Sequence, residues 1–509
     1  MKRALTAQEM RRVDAAAADH GMPNSVLMEN AGAALAKTAL SMSAPQGRFV
    51  ILCGTGNNGA DGFVAARHLS IAGRTVFIEL LGELSSLQGD SARNARALTA
   101  SGLIFAPIAD DLPIGAGDVV IDAIFGTGLS RAPEGKFADA IGRISVWRAA
   151  GAKVVSADLP SGLSSDTGLP FAPCVTADAT TAFGFLKLGQ TIEPGAQRSG
   201  CIELVDIGIP RAAQTVLPSQ GTFLIEESDV KNRLPARRAE SHKGTFGHVL
   251  VIAGSWGKTG AAALVAKAAL RSGAGLVTVA TRPECLQPIM QHAPEIMGVE
   301  LVSEGALGLG DFNSILEAAD GKQAVVIGPG IDRGDETVRL LGSLLEELTI
   351  PCVLDADALN AIATNPSVLD KAKGEILLTP HPGEMGRLIG KSAAEVNADR
   401  VGIARTFATQ HSVVLLLKGA RTVISRHDGA VFINPTGNAG MATAGSGDVL
   451  AGLTGALLAQ GLSTEDAALV GAWAHGAAGD VAASKRGQLG LIASDLIDHL
   501  GDVWTRWNR

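Results

Sequence analysis

Short apolar runs alternate with helical stretches along the first half of the chain. Arg48–Cys53 reads as a buried strand and Phe63–Ala72 as the helix after it. Thr75–Leu80, Asp118–Phe125 and Lys153–Ala157 read as further strands. This strand–turn–helix rhythm predicts a doubly wound parallel sheet. It breaks over Asp206–Gly244, which holds Pro210, Pro218, Gly221 and Pro235. A domain boundary near residue 220 follows, giving domains over 1–220 and 221–509. A second α/β series then runs through Val249–Ala253, Leu276–Ala280, Ala324–Ile327, Cys352–Asp355, Ile376–Leu378 and Val413–Leu417.

Composition fits that picture. A chain of 509 residues exceeds one ordinary core. With 46% hydrophobic and 18% charged residues, it suits buried sheets under Ala-rich helices rather than disorder. The formal charge of −8 argues against nucleic acid as the main partner. The basic cluster Arg233, Arg237, Arg238 and Lys243 reads as a solvated linker. Five scattered cysteines form no C-x-x-C, so neither a disulfide framework nor a zinc site is expected. Thr6-x-x-Glu9 is a candidate capping box at a polar N-terminal helix. With no apolar run long enough for a span, the expected location is the cytoplasm. A homo-oligomer acting on small molecules, with neither nucleic acid nor membrane as partner, is the expected assembly.

Chemistry is expected where parallel strands end. Three such ends in the first half carry polar residues: Gly54–Gly62, Asp122 with Gly126–Arg131, and Asp158–Gly162. The first matches G-x-G-x-x-G, with Glu79 at ribose distance downstream, as in a nicotinamide dehydrogenase. Asp61 argues against that reading, because a carboxylate repels a pyrophosphate. Asn58, Asp122 and Ser161 instead offer oxygens of low total charge, a set suited to a monovalent cation. Lys187 ends an apolar run, either meeting the Asp158 carboxylate or snorkelling at the surface.

In the second half, Gly445-Ser446-Gly447-Asp448 precedes an apolar helix, Val449–Ala459. Free amides at a helix N-terminus favour an anion, and Asp448 in the first turn is placed to move a proton on a neighbouring hydroxyl. Lys418-Gly419-Ala420-Arg421-Thr422 closes a strand as a second phosphate-type loop or as a plain hairpin turn. Gly254–Thr259 fails as a Walker A loop, since position 252 is Ile. His381, between two prolines, is expected to face a cleft, with a purely structural loop histidine as the alternative.

These motifs, in this order, resemble the bifunctional NAD(P)H-hydrate repair enzymes over nearly the whole chain. The carrying segments are Gly56–Gly62, Asp122 with Gly126-Thr127-Gly128, Asp158–Gly162, Ser241–Gly244, Thr379–Glu384 and Gly445–Asp448. The resemblance implies two three-layer αβα domains, an N-terminal Rossmann-like domain and a C-terminal ribokinase-like domain. The first would epimerise R and S hydrates of NADH or NADPH, with K⁺ on Asn58, Asp122 and Ser161. Hydrate would lie on Asn57, Asn58, Gly59, Ala60 and Asp61, on Gly126, Thr127, Gly128, Leu129, Ser130, Arg131 and Ala132, and on Asp158. Asp158 and Lys187 would serve that chemistry. The second domain would dehydrate the S-hydrate, with ADP as co-substrate and Mg²⁺ as cofactor. Ala261, Gly330, His381 and Asp448 would line its hydrate pocket, with Asp448 catalytic. Lys418, Gly419, Ala420, Arg421, Thr422 and Gly447 would contact the nucleotide. A vitamin or sugar kinase using the same Asp448 site is one competing reading, and an N-terminal scaffold without turnover is another.

Overall fold

Runs of Val, Ile and Leu bounded by glycine form the strands, and those buried on both faces show no polar alternation. In the computed structural model, which describes residues 1–109, 112–303, 305–332 and 334–508, the chain divides after Thr222. Lys2–Thr222 forms one unit; Phe223 onward, with Met1, forms the other.

The N-terminal unit contains β1 (Lys2–Leu5), β2 (Phe49–Cys53), β3 (Val76–Leu80), β4 (Val119–Ala123), β5 (Lys153–Ala157), β6 (Ala179–Phe183), β7 (Leu186–Lys187) and β8 (Cys201–Val205). Six of them form a parallel sheet in the order β3-β2-β4-β5-β6-β8. β1 pairs with β7, setting Leu5 opposite Lys187. β2 is buried on both faces. Phe49, Ile51 and Cys53 pack with Leu35, Phe63 and Val64, while Val50 and Leu52 share a cluster with Ile141 and Trp147. Three helices matter for the site: α1 (Ala7–Asp19), α2 (Asn24–Met42) and α3 (Asn57–Ile71). The Thr6/Glu9 capping box starts α1. Along the sheet, β2 leads to β3 on one side while β4 leads to β5 on the other. The ends of β2 and β4 therefore flank a topological switch point, where open α/β sheets bind ligands.

The C-terminal unit repeats this logic. Its strands are β9 (Thr222–Leu224), β10 (His248–Ile252), β11 (Leu276–Thr281), β12 (Met297–Glu300), β13 (Ala324–Ile327), β14 (Cys352–Leu354), β15 (Ile376–Leu378), β16 (Val414–Leu417), β17 (Val423–Ser425) and β18 (Val431–Ile433). The order β12-β11-β10-β13-β14-β15-β16 is parallel, and β17 and β18 continue it antiparallel. Its switch point lies between β10 and β13. Four helices bear on the site: α4 (Thr259–Arg271), α5 (Pro382–Ile389), α6 (Ser446–Ala459) and α7 (Thr464–Arg486). Every residue of α6 from Val449 on is buried. Gly452 lets α4 approach, since a Cβ there would lie 2.1 Å from the Val265 carbonyl oxygen.

Two helices start earlier than expected. The helix placed at Phe63–Ala72 begins at Asn57, and the one placed at Val449 begins at Ser446. Both starts are glycine-rich, which reads as loop because glycine disfavours helix. In the basic cluster Arg237, Arg238 and Lys243 are exposed, as a solvated linker requires, while Arg233 pairs with Asp466 and Arg237 lies 3.9 Å over the Phe246 ring. The five cysteines are all free, and no described helix is long and apolar enough to cross a membrane.

Candidate functional site

In the N-terminal unit the first turn of α3 carries Asn57, Asn58, Gly59 and Ala60, with Asp61 next. This segment lies tight against the end of β2. A Cβ on Gly59 would come 1.9 Å from the Gly54 carbonyl oxygen, so only glycine fits. Asn58 Nδ2 donates to the Phe125 carbonyl oxygen at 3.0 Å, and Ser161 Oγ lies 3.3 Å from the same oxygen. Ser161 Oγ accepts from Phe125 N at 2.9 Å and donates to Asp122 Oδ1. Asp122 Oδ2 accepts from Ser156 Oγ and Ser161 N, each at 2.8 Å. Asp122 has no exposed surface, and burial pushes its carboxyl pKa up despite these hydrogen bonds. Among the described residues no ion pair reaches it. Asn58 and Ser161 thus meet at one backbone carbonyl, Asp122 joins them through Ser161, and the carboxylate lacks a countercharge. That donor set fits a monovalent cation.

Asp158 follows β5 in a left-handed conformation, φ 63°. Lys187 has no exposed surface, and its ammonium donates to Asp158 Oδ1 and to the carbonyls of Phe183 (3.1 Å) and Phe185 (3.0 Å). It is not a snorkelling lysine. Gln190 Nε2 donates to the Asp158 carbonyl at 2.6 Å and fixes the turn. Burial, then the Asp158 charge, raises the Asp61 carboxyl well above its ordinary range, with Lys187 opposing. Asp14 on α1 keeps an exposed edge, yet loss of solvent and then Asp158 push it up to about 6. Gly126 lies beside the Asn58 amide, and Thr127 and Leu129 are half-buried. Gly128, Ser130, Arg131 and Ala132 are exposed. Glu79 is held by Arg143 (2.8 Å) and Ile108 N (3.0 Å), which binds it within the fold rather than leaving it for a ribose.

In the C-terminal unit Gly445 caps α6 at φ 86°, and Ser446, Gly447 and Asp448 form its first turn. Lys418 Nζ lies 2.7 Å from Asp355 Oδ1 and 3.9 Å from Glu384 Oε2. Burial disfavours that ammonium, but Asp355 and Glu384 hold its pKa above the ordinary value. A Cβ on Gly447 would stand 3.1 Å from Lys418 Nζ. Burial, then the Asp355 charge, pushes Asp448 up to about 7, with Lys418 opposing. His381 caps α5: its Nδ1 accepts from Gly383 N (2.9 Å) and Glu384 N (3.3 Å). Half of its side chain remains exposed. At the switch point, Gly330 at φ 68° lies against Lys258 and Ala261, where a Cβ would meet theirs at 3.0 and 3.4 Å. Lys258 bridges Asp332 (2.6 Å) and Asp357 (3.3 Å), and Asp357 contributes to the field on Asp448.

Residues 249–501 match the family model described as NAD(P)H-hydrate dehydratase, and residues 24–189 match that of the YjeF-related protein N-terminus. The chain is 44% identical to the bifunctional NAD(P)H-hydrate repair enzyme Nnr of Moorella thermoacetica, covering 97% of this chain and 95% of that one. It belongs to the bifunctional NAD(P)H-hydrate repair enzyme family. The Escherichia coli K12 member is 37% identical, over 97% of this chain and 92% of its own. A crystal structure of the ADP/ATP-dependent NAD(P)H-hydrate dehydratase of Bacillus subtilis, co-crystallised with ATP/Mg²⁺, is 34% identical. It covers 55% of this chain and 97% of its own, with a TM-score of 0.49.

In this repair-enzyme chain, Lys418–Thr422 is the turn of the β16–β17 hairpin, with Leu417 opposite Val423. The hairpin alternative therefore describes its backbone. The buried Arg400 guanidinium donates to the carbonyls of Leu417 (3.1 Å), Lys418 (3.3 Å) and Ala420, tying down three acceptors of the turn. Sequence reasoning missed Arg400, Asp355, Glu384 as Lys418's partner, and Asp14. Asp355 was within reach as the polar residue that ends an apolar strand, the signal that picked out Asp158. Arg400 and Asp14 carry no such signal, because each reaches its partners only through the fold.

Proposed function

We propose that the chain repairs hydrated NADH and NADPH. The N-terminal unit interconverts the R and S hydrates, and the C-terminal unit dehydrates the S form while ADP becomes AMP and phosphate. The observation that carries this reading is Asp448, a carboxyl pushed up to about 7 in the first turn of a glycine-led helix. A base half-ionised near neutrality is matched to taking a proton from a substrate hydroxyl. The C6 hydroxyl of the hydrate is a poor leaving group. Asp448 accepts its proton as the oxygen attacks the terminal phosphorus of ADP; the new O–P bond forms and the bond to AMP breaks. Phosphate then leaves with the C–O electron pair, C5 loses a proton, and the C5–C6 double bond returns. The Ser446 and Gly447 amides, Lys418 and the helix terminus stabilise the charge on the transferred group.

Ala261, Gly330 and His381 line the hydrate side of this site, and Lys418–Thr422 with Gly447 the nucleotide side. Among the described residues no cluster of three or more His, Cys, Asp or Glu is placed to hold a metal. Mg²⁺ bound with the nucleotide would neutralise phosphate charge.

In the N-terminal unit, Asn58, Asp122 and Ser161 would hold K⁺, supplying the countercharge that Asp122 lacks. Hydrate would rest on Asn57–Asp61, Gly126–Ala132 and Asp158. Lys187 holds the Asp158 carboxylate in place, leaving its second oxygen for the substrate.

The test is recovery of NADH from a mixed S,R hydrate. Full recovery with ADP requires both units, and recovery of only the S half would overturn the epimerase reading. A kinase acting on a stable hydroxyl would instead leave a phosphorylated product. Asp448→Ala should abolish dehydration and leave epimerisation intact; normal dehydratase turnover in that variant would refute the assignment.

A further inference from the structure

His475 lies buried in α7, on the face turned toward the start of α6. Its Nε2 is 2.9 Å from the Ser446 carbonyl oxygen and 3.5 Å from Ser446 Oγ. Burial pushes the imidazole pKa down to about 4, so the ring is neutral near pH 7. A neutral ring facing a carbonyl at that distance carries its one N–H on Nε2.

That carbonyl shares a rigid peptide plane with the Gly447 N–H. Donating to the carbonyl fixes the plane's orientation and hence the direction of the amide. It also polarises the peptide, strengthening the N–H as a donor. Gly445 at φ 86° and Gly447 have no side chains to restrict their backbone, and Lys418 approaches Gly447.

The rest of the loop is anchored to α7 independently. Asn434 Nδ2 donates to the Ala472 carbonyl and Thr436 Oγ1 to that of Trp473, both at 3.0 Å. Asp480 accepts from Gly437 N at 3.0 Å and from Asn438 Nδ2 at 2.9 Å. These contacts hold the body of the loop, whereas His475 reaches the first residue of the helix.

We propose that His475 is a positioning residue for the dehydratase, aiming the Gly447 amide at the nucleotide's terminal phosphate through the Ser446 carbonyl. The inference rests on the reading of the C-terminal unit as a nucleoside-diphosphate site, and it adds the group that orients that site.

The test compares full-length wild type, His475→Leu and His475→Gln, using ADP with Mg²⁺ as the probe. Leu keeps the bulk and removes the donor, while Gln restores an N–H at about the same reach. In His475→Leu the calorimetric Kd and the KM for ADP should rise roughly five- to tenfold, the loss of about one hydrogen bond. The KM for hydrate and the epimerase rate should stay at wild-type values, and His475→Gln should recover most of the ADP affinity. Unchanged ADP affinity in His475→Leu would overturn the inference. So would an equal loss in His475→Gln, or a rise in the hydrate KM as large as that for ADP. If thermal melts show His475→Leu unfolded, His475→Asn takes its place. Its shorter amide falls short of the carbonyl, so Asn binding ADP as well as Gln would also overturn the inference. A wild-type chain that binds no ADP would defeat the nucleotide reading itself, whereas intact wild-type binding unaffected by these variants defeats only the role of His475.

Discussion

Lys418 gives its 2.7 Å contact to Asp355, and Asp448 feels that cation only as a field opposed by three carboxylates. The arrangement keeps a general base poised near neutrality. Dehydration should therefore rise as pH increases through about 7, as Asp448 ionises, and level off above. Asp355→Asn removes the largest charge raising Asp448 and frees Lys418 to act on it. Both changes favour the carboxylate, so the acid limb of kcat/KM should move to lower pH. A profile from about pH 5.5 to about 9 reads this out. A limb that stays put or moves upward would contradict the assignment.

The same carboxyl is a burden on stability. Its folded pKa lies above the ordinary 3.8, so the fold binds this proton more tightly than the unfolded chain does. Stability is thus lost as pH rises from about 4 through about 7, and the full penalty applies above that. Asp448→Asn should melt higher than wild type at pH 8, with a shift of roughly 2–4 °C for each kcal/mol relieved. The advantage should shrink as pH falls toward 4. Equal melting temperatures at pH 8 would show that Asp448 ionises there without cost.

Strand positions were legible because parallel strands buried on both faces are continuous apolar runs that end at glycine or a polar residue. Val50 and Ile51 face opposite layers, yet both are apolar. Polar residues at or just past those ends, Asn58, Asp122, Asp158 and Ser161, could be picked out for the same reason. The helix starts at Asn57 and Ser446 could not. Their glycines answer to close approach, as Gly59 does to the Gly54 carbonyl, and local propensity cannot register a neighbour distant in sequence. Arg400 and His475 were hidden likewise. Each acts on backbone carbonyls of another element, and no spacing in the chain encodes that contact.

Lys187 and Asp158 form a pair with very unequal burial, 0% against 14% side-chain exposure. Lys187→Met leaves the carboxylate facing two carbonyls that have lost their donor. It should destabilise the N-terminal unit by about 3–5 kcal/mol and abolish epimerisation. Adding Asp158→Asn should restore part of the stability, since no unpaired charge remains, but none of the activity. Chemical denaturation of the single and double variants measures this coupling. A double variant less stable than Lys187→Met alone would mean that the pair contributes chiefly packing. Dehydration of purified S-hydrate should continue in every variant that stays folded.

Asp122 should respond to the cation present in solution. An ionised carboxylate without exposed surface or countercharge is costly, and a bound K⁺ removes that cost. An ion that binds only the folded state stabilises it by about 1.4 kcal/mol at roughly ten times its Kd. Wild-type protein should therefore melt higher in KCl than in choline chloride at equal ionic strength, and its epimerase rate should fall in choline. In Asp122→Asn the carboxylate is gone, so the difference between KCl and choline chloride should vanish whatever the variant's absolute stability. Reading the increment separates ion binding from the hydrogen bonds that the substitution also disturbs. Coincident wild-type melts in the two salts would rule out K⁺ at Asn58, Asp122 and Ser161. An increment that survives in Asp122→Asn would place the ion elsewhere.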